Sequence, residues 1–377
     1  MRAALALWLT LLLLPLTARA LAILPLTARA LAILPLTARA LAILTLTARA
    51  FAATLDPFLP APAPAVKVVR VLAPPDFLDR TVLETFEATT HAAVALDAYG
   101  DAADLAARAA ETRYDVMILR GPALARRVAA GGLARIDHKR LANASRVQPA
   151  VMARYAAYDR EGAYGVPFGW SAFGLLYDAD KATPVSWTQA LGLVRDRAPD
   201  CPLVWPNARE ETFLALWRVT GVDPAKARLA DVKAAAQILE KARGGFLAFA
   251  APDEVGAFVK GAACLGAGTA GEAAAVQARG GDAPRNVRFA YAREGGPLAI
   301  FAFAIPADAP APEAAYRLIE ALLSPDNARK DAAAAGLSDA QSPVEAQVWK
   351  RLAPEPTLDP AVASAMQSEW RRLTSSK

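Results

Sequence analysis

Tyr164-Gly-Val-Pro167-Phe168-Gly-Trp170-Ser-Ala-Phe-Gly174-Leu-Leu-Tyr177-Asp-Ala-Asp-Lys181 is an apolar run punctuated by Gly165, Gly169 and Gly174, and it divides the chain into two series of strand and helix patterns. Before it, apolar runs of strand length at 66–73, 93–97 and 114–119 alternate with amphipathic stretches at 78–89, 102–111 and 123–130. After it come strand 173–178, helix 187–196, strand 203–206, helices 209–220 and 229–241, strand 246–249, helix 253–259 and strand 263–267. Each series reads as βαβ, which predicts two helix-flanked sheets with ligand-facing loops at the carboxyl ends of the strands. A later strand at 297–305, a helix at 313–323 and a tail helix at 360–373 are expected to return to the first half. The chain then passes twice between the halves, which makes a hinge. The expected architecture is therefore α/β and two-lobed with a double-crossing hinge. Lobe one takes 66–168 with 297–350, lobe two takes 170–295, and a C-terminal helix within 351–377 packs on the outside.

The first fifty residues belong to neither lobe. Arg2 followed by an almost wholly apolar run at 3–16 has the n-region and h-region of a secretory signal peptide. A ten-residue unit ending in Leu-Thr-Ala-Arg-Ala then recurs, finishing at Ala20, Ala30, Ala40 and Ala50, each time with an A-x-A cleavage pattern. A membrane span needs about twenty consecutive apolar residues, whereas here an arginine recurs every tenth position from Arg19 and Pro15, Pro25 and Pro35 intervene. Residues 1–50 are thus expected to be a signal peptide, with a periplasmic destination, and the Pro/Ala-rich residues 51–65 a linker. The formal charge of +5 resides in this leader: without its five arginines, 37 basic residues face 37 acidic ones. Electrostatics therefore gives no reason to expect a nucleic-acid partner.

Cys201 and Cys264 are the two cysteines, and in an exported chain they are expected to pair. Their spacing does not suit a metal, and His91 and His138 lack metal-ligand spacing too, so no metal or cofactor is expected. No serine elbow or H-E-x-x-H motif is present, and neighbouring helical positions such as Glu210 and Glu211 point about 100° apart, which is unsuited to a facing acid/base pair. Catalytic residues are not identified. Gly266-Ala-Gly268-Thr-Ala-Gly271 fits the G-x-G-x-x-G phosphate fingerprint, so a Rossmann-type oxidoreductase is the alternative class. The plainer reading is a tight strand-to-helix turn, made unsuitable for pyrophosphate by Glu272.

The dividing stretch resembles the interlobe crossing of periplasmic polyamine-binding proteins, the spermidine/putrescine type of ABC solute receptor. Further matches follow in order: Phe86-Glu87, Tyr114-Asp115, Ser186-Trp187, the run Asn207-Ala208-Arg209-Glu210-Glu211-Thr212-Phe213, and Glu294-Gly295 leading into Phe303-Ala304-Ile305-Pro306-Ala307-Asp308-Ala309. The resemblance covers about residues 66–350. It implies a type II periplasmic-binding-protein fold, a disulfide between Cys201 and Cys264 as in the putrescine-receptor branch, and a monomer that delivers a small-molecule ligand to ABC permease subunits in the inner membrane. A sensor without a transport role has the same sequence signature.

By the same resemblance the ligand-binding set is Asp76, Phe77, Arg120, Trp170, Glu211, Thr269, Glu272 and Phe301. A polyamine site needs carboxylates for the ammonium groups and aromatic faces for the methylene chain, and Asp76, Glu211 and Glu272 supply the acids. The set departs from the family where Pro74 and Pro75 precede Asp76 in place of tryptophan and serine, and where Thr269 replaces a second tryptophan. Phe301 stands where the family has an amine-binding aspartate, a loss of about 4 kcal/mol of attraction at 4 Å and a dielectric of 20, before desolvation. Arg120 stands where the family has small hydroxyl residues. The expected ligand is therefore a smaller or monovalent amine, or an amine that also carries a carboxylate, with Arg120 as the anion partner.

Overall fold

A computed structural model describes residues 67–192, 201–280 and 286–375. The signal peptide with its repeats and the Pro/Ala linker lie outside the described residues.

The first lobe begins with β1 (Lys67–Ala73), α1 (Arg80–Thr90), β2 (Ala92–Ala98), α2 (Ala102–Glu111), β3 (Val116–Arg120) and α3 (Gly121–Ala129). α1 starts where it does because the Asp79 carboxylate accepts the Thr81 and Val82 amides, and it presents Val82, Leu83 and Phe86 to the core. After α4 (Pro149–Tyr155), β4 (Gly165–Ala172) ends this series. β5 (Gly174–Asp178) follows after the single residue Phe173 and belongs to the other sheet, so the first crossing is one residue long.

The second lobe continues with α5 (Trp187–Ala190), β6 (Leu203–Pro206), α6 (Arg209–Thr220), α7 (Leu229–Ala242), β7 (Phe246–Ala251), α8 (Glu254–Val259), β8 (Leu265–Gly268), α9 (Ala270–Arg279) and β9 (Val287–Ala290). Its strands are ordered β7-β6-β8-β5-β9, with β6 parallel to both neighbours and β5 antiparallel to both of its own. The Cys201–Cys264 disulfide, with Cα atoms 5.4 Å apart, ties together the starts of the neighbouring strands β6 and β8. Closing a loop of 63 residues stabilises the fold by about 4 kcal/mol in the chain-entropy treatment.

The second crossing leads into β10 (Gly296–Ala304), all nine residues of which are buried, as a strand covered on both faces requires. It lies between β3 and β4, antiparallel to each. Then come α10 (Pro312–Leu322), α11 (Pro325–Ala334), β11 (Ser338–Asp339), α12 (Ala346–Arg351), β12 (Leu352–Pro354) and α13 (Pro360–Ser375). The first sheet is thus seven-stranded, in the order β11-β4-β10-β3-β1-β2 with β12 also paired to β10.

Two expectations are corrected here. The tail helix does not return to the first lobe: α13 buries Val362, Met366, Trp370 and Leu373 in the second lobe's core beside Phe213 and Trp217. Residues 351–377 accordingly hold more than a helix, because β12 completes the first sheet and the chain then crosses a third time through Glu355–Leu358. Among the described residues no helix is long and apolar enough to cross a membrane.

The sequence motifs turn out to brace this frame. The Asp115 carboxylate accepts the Arg70 and Ala311 amides at 2.8 and 2.7 Å, joining the first and last parts of lobe one. Glu87 accepts the Val94 amide, fixing α1 on β2. At the second crossing Glu294 accepts the amide of Trp187, whose indole donates to the Gly295 carbonyl at 2.8 Å.

Candidate functional site

β3 ends at Arg120, opposite Phe301 of β10 in the strand register, and both open onto a cavity of about 750 Å³. Phe77, Tyr99, Arg120, Arg126 and Phe301 line it from lobe one, Asn207, Arg209, Glu210 and Glu211 from the start of α6, and Gln367 and Trp370 from the tail helix. Both lobes therefore contribute walls. Phe77 meets Phe301 edge-on at 4.8 Å, and the Tyr99 hydroxyl donates to the Ile118 carbonyl, its burial pushing the phenol up to about 12.

At the centre lies an ionic triad. Arg120 Nη2 donates to Glu211 at 2.7 Å, and its Nε and Nη2 grip the carboxylate of Glu355 as a fork, with the Nε contact at 2.6 Å. Glu355 is only 5% exposed, and the segment that carries it is the third crossing. Burial would lower the Arg120 pKa, but Glu355 and then Glu211 outweigh it and hold the guanidinium charged. Burial likewise raises Glu211, and Arg120 overrides it, so this carboxyl falls below its ordinary range. Glu355 goes the other way, raised by burial with Glu211 as a like-charge neighbour. One guanidinium serves two carboxylates, and the less exposed one bears the cost.

The remaining expected residues divide. Phe77, Arg120, Glu211 and Phe301 are brought together on this cavity. Asp76 is exposed in a left-handed backbone conformation, with φ 59°, outside the lining. Trp170 is buried against Trp349 and lines a separate hollow with Tyr291 and Asp339. Thr269 and Glu272 are absorbed in a capping box: the Glu272 amide donates to Thr269 Oγ1 at 3.3 Å, and Glu272 Oε2 accepts the Thr269 amide at 2.5 Å. Burial and the neighbouring Glu254 push Glu272 up to about 7. Arg120, expected as the partner of a ligand's acid group, meets two carboxylates of the chain itself, Glu211 and Glu355.

The same capping box answers the glycine fingerprint. The Thr269 and Glu272 amides at the start of α9 are already used, the Glu272 carboxylate occupies that end of the helix, and a Cβ at Gly271 would land on the backbone of Gly336, where lobe two touches lobe one. The glycines serve close packing.

Sequence reasoning missed Glu355, Asn207, Tyr158 and Trp370. Trp370 donates its indole N–H to Asn207 Oδ1 at 2.9 Å, bracing the tail helix against the approach to α6. The Tyr158 ring lies against Gly121, the residue that follows Arg120, leaving no space there for a Cβ. A signal for Glu355 does exist, in an acid held between Pro354 and Pro356.

Two sheets joined by crossing strands, with a cavity walled by both, define a clamp-type receptor for a small solute. The chain belongs to the family of bacterial extracellular solute-binding proteins, whose pattern it matches over residues 81–354. It is 25% identical over 265 residues to the putrescine-binding periplasmic protein PotF of Escherichia coli, covering 67% of this chain and 72% of that one. It is 24% identical over 340 residues to the putrescine-binding periplasmic protein SpuD of Pseudomonas aeruginosa, covering 82% and 93%. Its fold is that of the spermidine/putrescine ABC transporter substrate-binding protein PotD of Streptococcus pneumoniae, with a TM-score of 0.69 at 15% identity over 81% of this chain and 98% of that structure.

Proposed function

We propose that this protein is the periplasmic receptor subunit of an ABC importer: a non-enzymatic, monomeric clamp that captures a small amine-containing solute between its lobes and hands it to inner-membrane permease subunits. The observation that carries the reading is a cavity walled by both lobes, on which the acids Asp101, Glu210 and Glu211 stand with the aromatic rings of Phe77, Phe301 and Trp370. Acid and aromatic surface together suit an ammonium on a short carbon chain. Relatives named for putrescine and spermidine binding support the class of solute, and the leader at 1–50 supports export. A ligand that touches both walls favours the closed clamp by its differential affinity for that state.

Titration calorimetry with a panel of monoamines, diamines, polyamines and amino acids, paired with small-angle scattering, tests this. At least one amine is expected to bind at micromolar concentration or below while the radius of gyration falls. A panel in which nothing binds contradicts the proposal.

A further inference from the structure

The charges on the cavity wall do not suit a dication. Three acids, Asp101, Glu210 and Glu211, face three arginines, Arg120, Arg126 and Arg209. Glu211 is already satisfied, because the Arg120 guanidinium lies 2.7 Å from it and forks onto Glu355. A terminal ammonium entering here would have to displace a bidentate cation tethered to the chain itself, with Phe301 beside it offering no counter-charge. At the same time the wall offers donors for an acid. The buried Nε of Arg209 has no hydrogen-bond partner, its Nη2 reaches Glu210 only at 3.3 Å, and Arg126 makes no ion pair among the described residues.

We propose that Arg120 is a specificity-determining, built-in cation: it fills the place between Glu211 and Glu355 that a ligand's ammonium would take, so the cleft refuses diamines and selects a solute carrying both an ammonium and an acid group. The inference deepens the receptor reading and rests on it. The ligand's acid meets Arg209 and Arg126, and its ammonium meets Glu210 and Asp101, which leaves the triad in place. The two ends of such a solute compensate each other on a lining of three acids and three arginines, whereas a dication would add two positive charges to it.

Putrescine and 4-aminobutyrate are matched probes, equal in chain length and different only in replacing one aminomethyl end by a carboxylate. Calorimetry on the wild type is expected to give at least tenfold tighter binding of 4-aminobutyrate. Arg120→Ser frees Glu211 and is expected to shift the ratio at least tenfold toward putrescine, while Arg120→Lys, which keeps the charge, retains the wild-type preference. Because Arg120→Ser leaves two acids around an empty place, Arg120→Ser/Glu355→Gln is measured beside it, with circular dichroism to confirm that both fold. Tighter binding of putrescine by the wild type, a ratio unmoved in both variants, or binding of neither probe by any of these proteins would overturn the inference. The receptor reading is judged separately, by whether any amine of the broader panel closes the clamp.

Discussion

Glu211 and Glu272 occupy the same position, third in a second-lobe helix that follows a strand, and they have opposite fates. Glu272 follows a threonine cap, turns back onto the Thr269 amide, and is pushed up to about 7 by burial and Glu254. Glu211 follows Ala208, which has no side chain to cap with, so its carboxylate reaches across to Arg120 and is held below its ordinary range. The residue three places earlier decides whether an acid in the first helical turn serves its own helix or the cleft. Capping satisfies orphan amides locally, and only an acid released from that task faces the other lobe.

The largest effect is expected from breaking the released side. Arg120→Ala leaves Glu355 and Glu211 without their counter-charge, and should destabilise the fold by about 3 kcal/mol, less than a fully buried pair because Arg120 is 32% exposed. Glu355→Gln in the same chain should recover part of that loss, which urea denaturation would reveal; additive losses would mean that the triad is not one unit.

Next is the pH dependence on the capped side. The folded-state carboxyl of Glu272 lies above its ordinary 4.5. Its protonated form is therefore the favoured one, and its contribution is fully present below 4.5 and lost as the pH rises to about 7. The change is on the order of 2 kcal/mol once partial exposure is allowed for. Glu272→Gln should flatten the melting temperature across that window. Asp331, buried beside the Asp79 amide and also pushed up to about 7, contributes the same sign, so Asp331→Asn sharpens the separation. Glu211 has the opposite sign, stabilising above 4.5 and losing that contribution as the pH falls through its lowered value.

The smallest effect is at the cap itself. Thr269→Ala should cost about 1 kcal/mol in thermal or urea unfolding while leaving ligand affinity unchanged. A change in affinity of more than a few-fold would return Glu272 to the cleft.

The alternation of apolar strands and amphipathic helices placed both sheets, and helix Arg209–Thr220 and strand Leu203–Pro206 have the boundaries their patterns indicate. The short strands β11 and β12 had no pattern of their own, being two and three residues long and defined by pairing with β4 and β10. The tail helix was legible as a helix, but not its partner, because an apolar stripe does not say which core it completes. At the site, Arg120 and Glu211 were each visible as charges, whereas their pairing across 91 positions is a product of the fold. The Thr269-x-x-Glu272 capping signature was written in the chain, and a ligand role for Glu272 competed with it.

Carbon-13 NMR titration of the glutamate side-chain carboxyls tests the contrast most directly. Glu211 is predicted to titrate below 4.5 and to move up in Arg120→Ser, where Arg120 no longer opposes its burial, with Glu272 titrating at about 7 in both proteins. Two carboxyls titrating together near 4.5, or a Glu211 value that ignores the loss of Arg120, would contradict it.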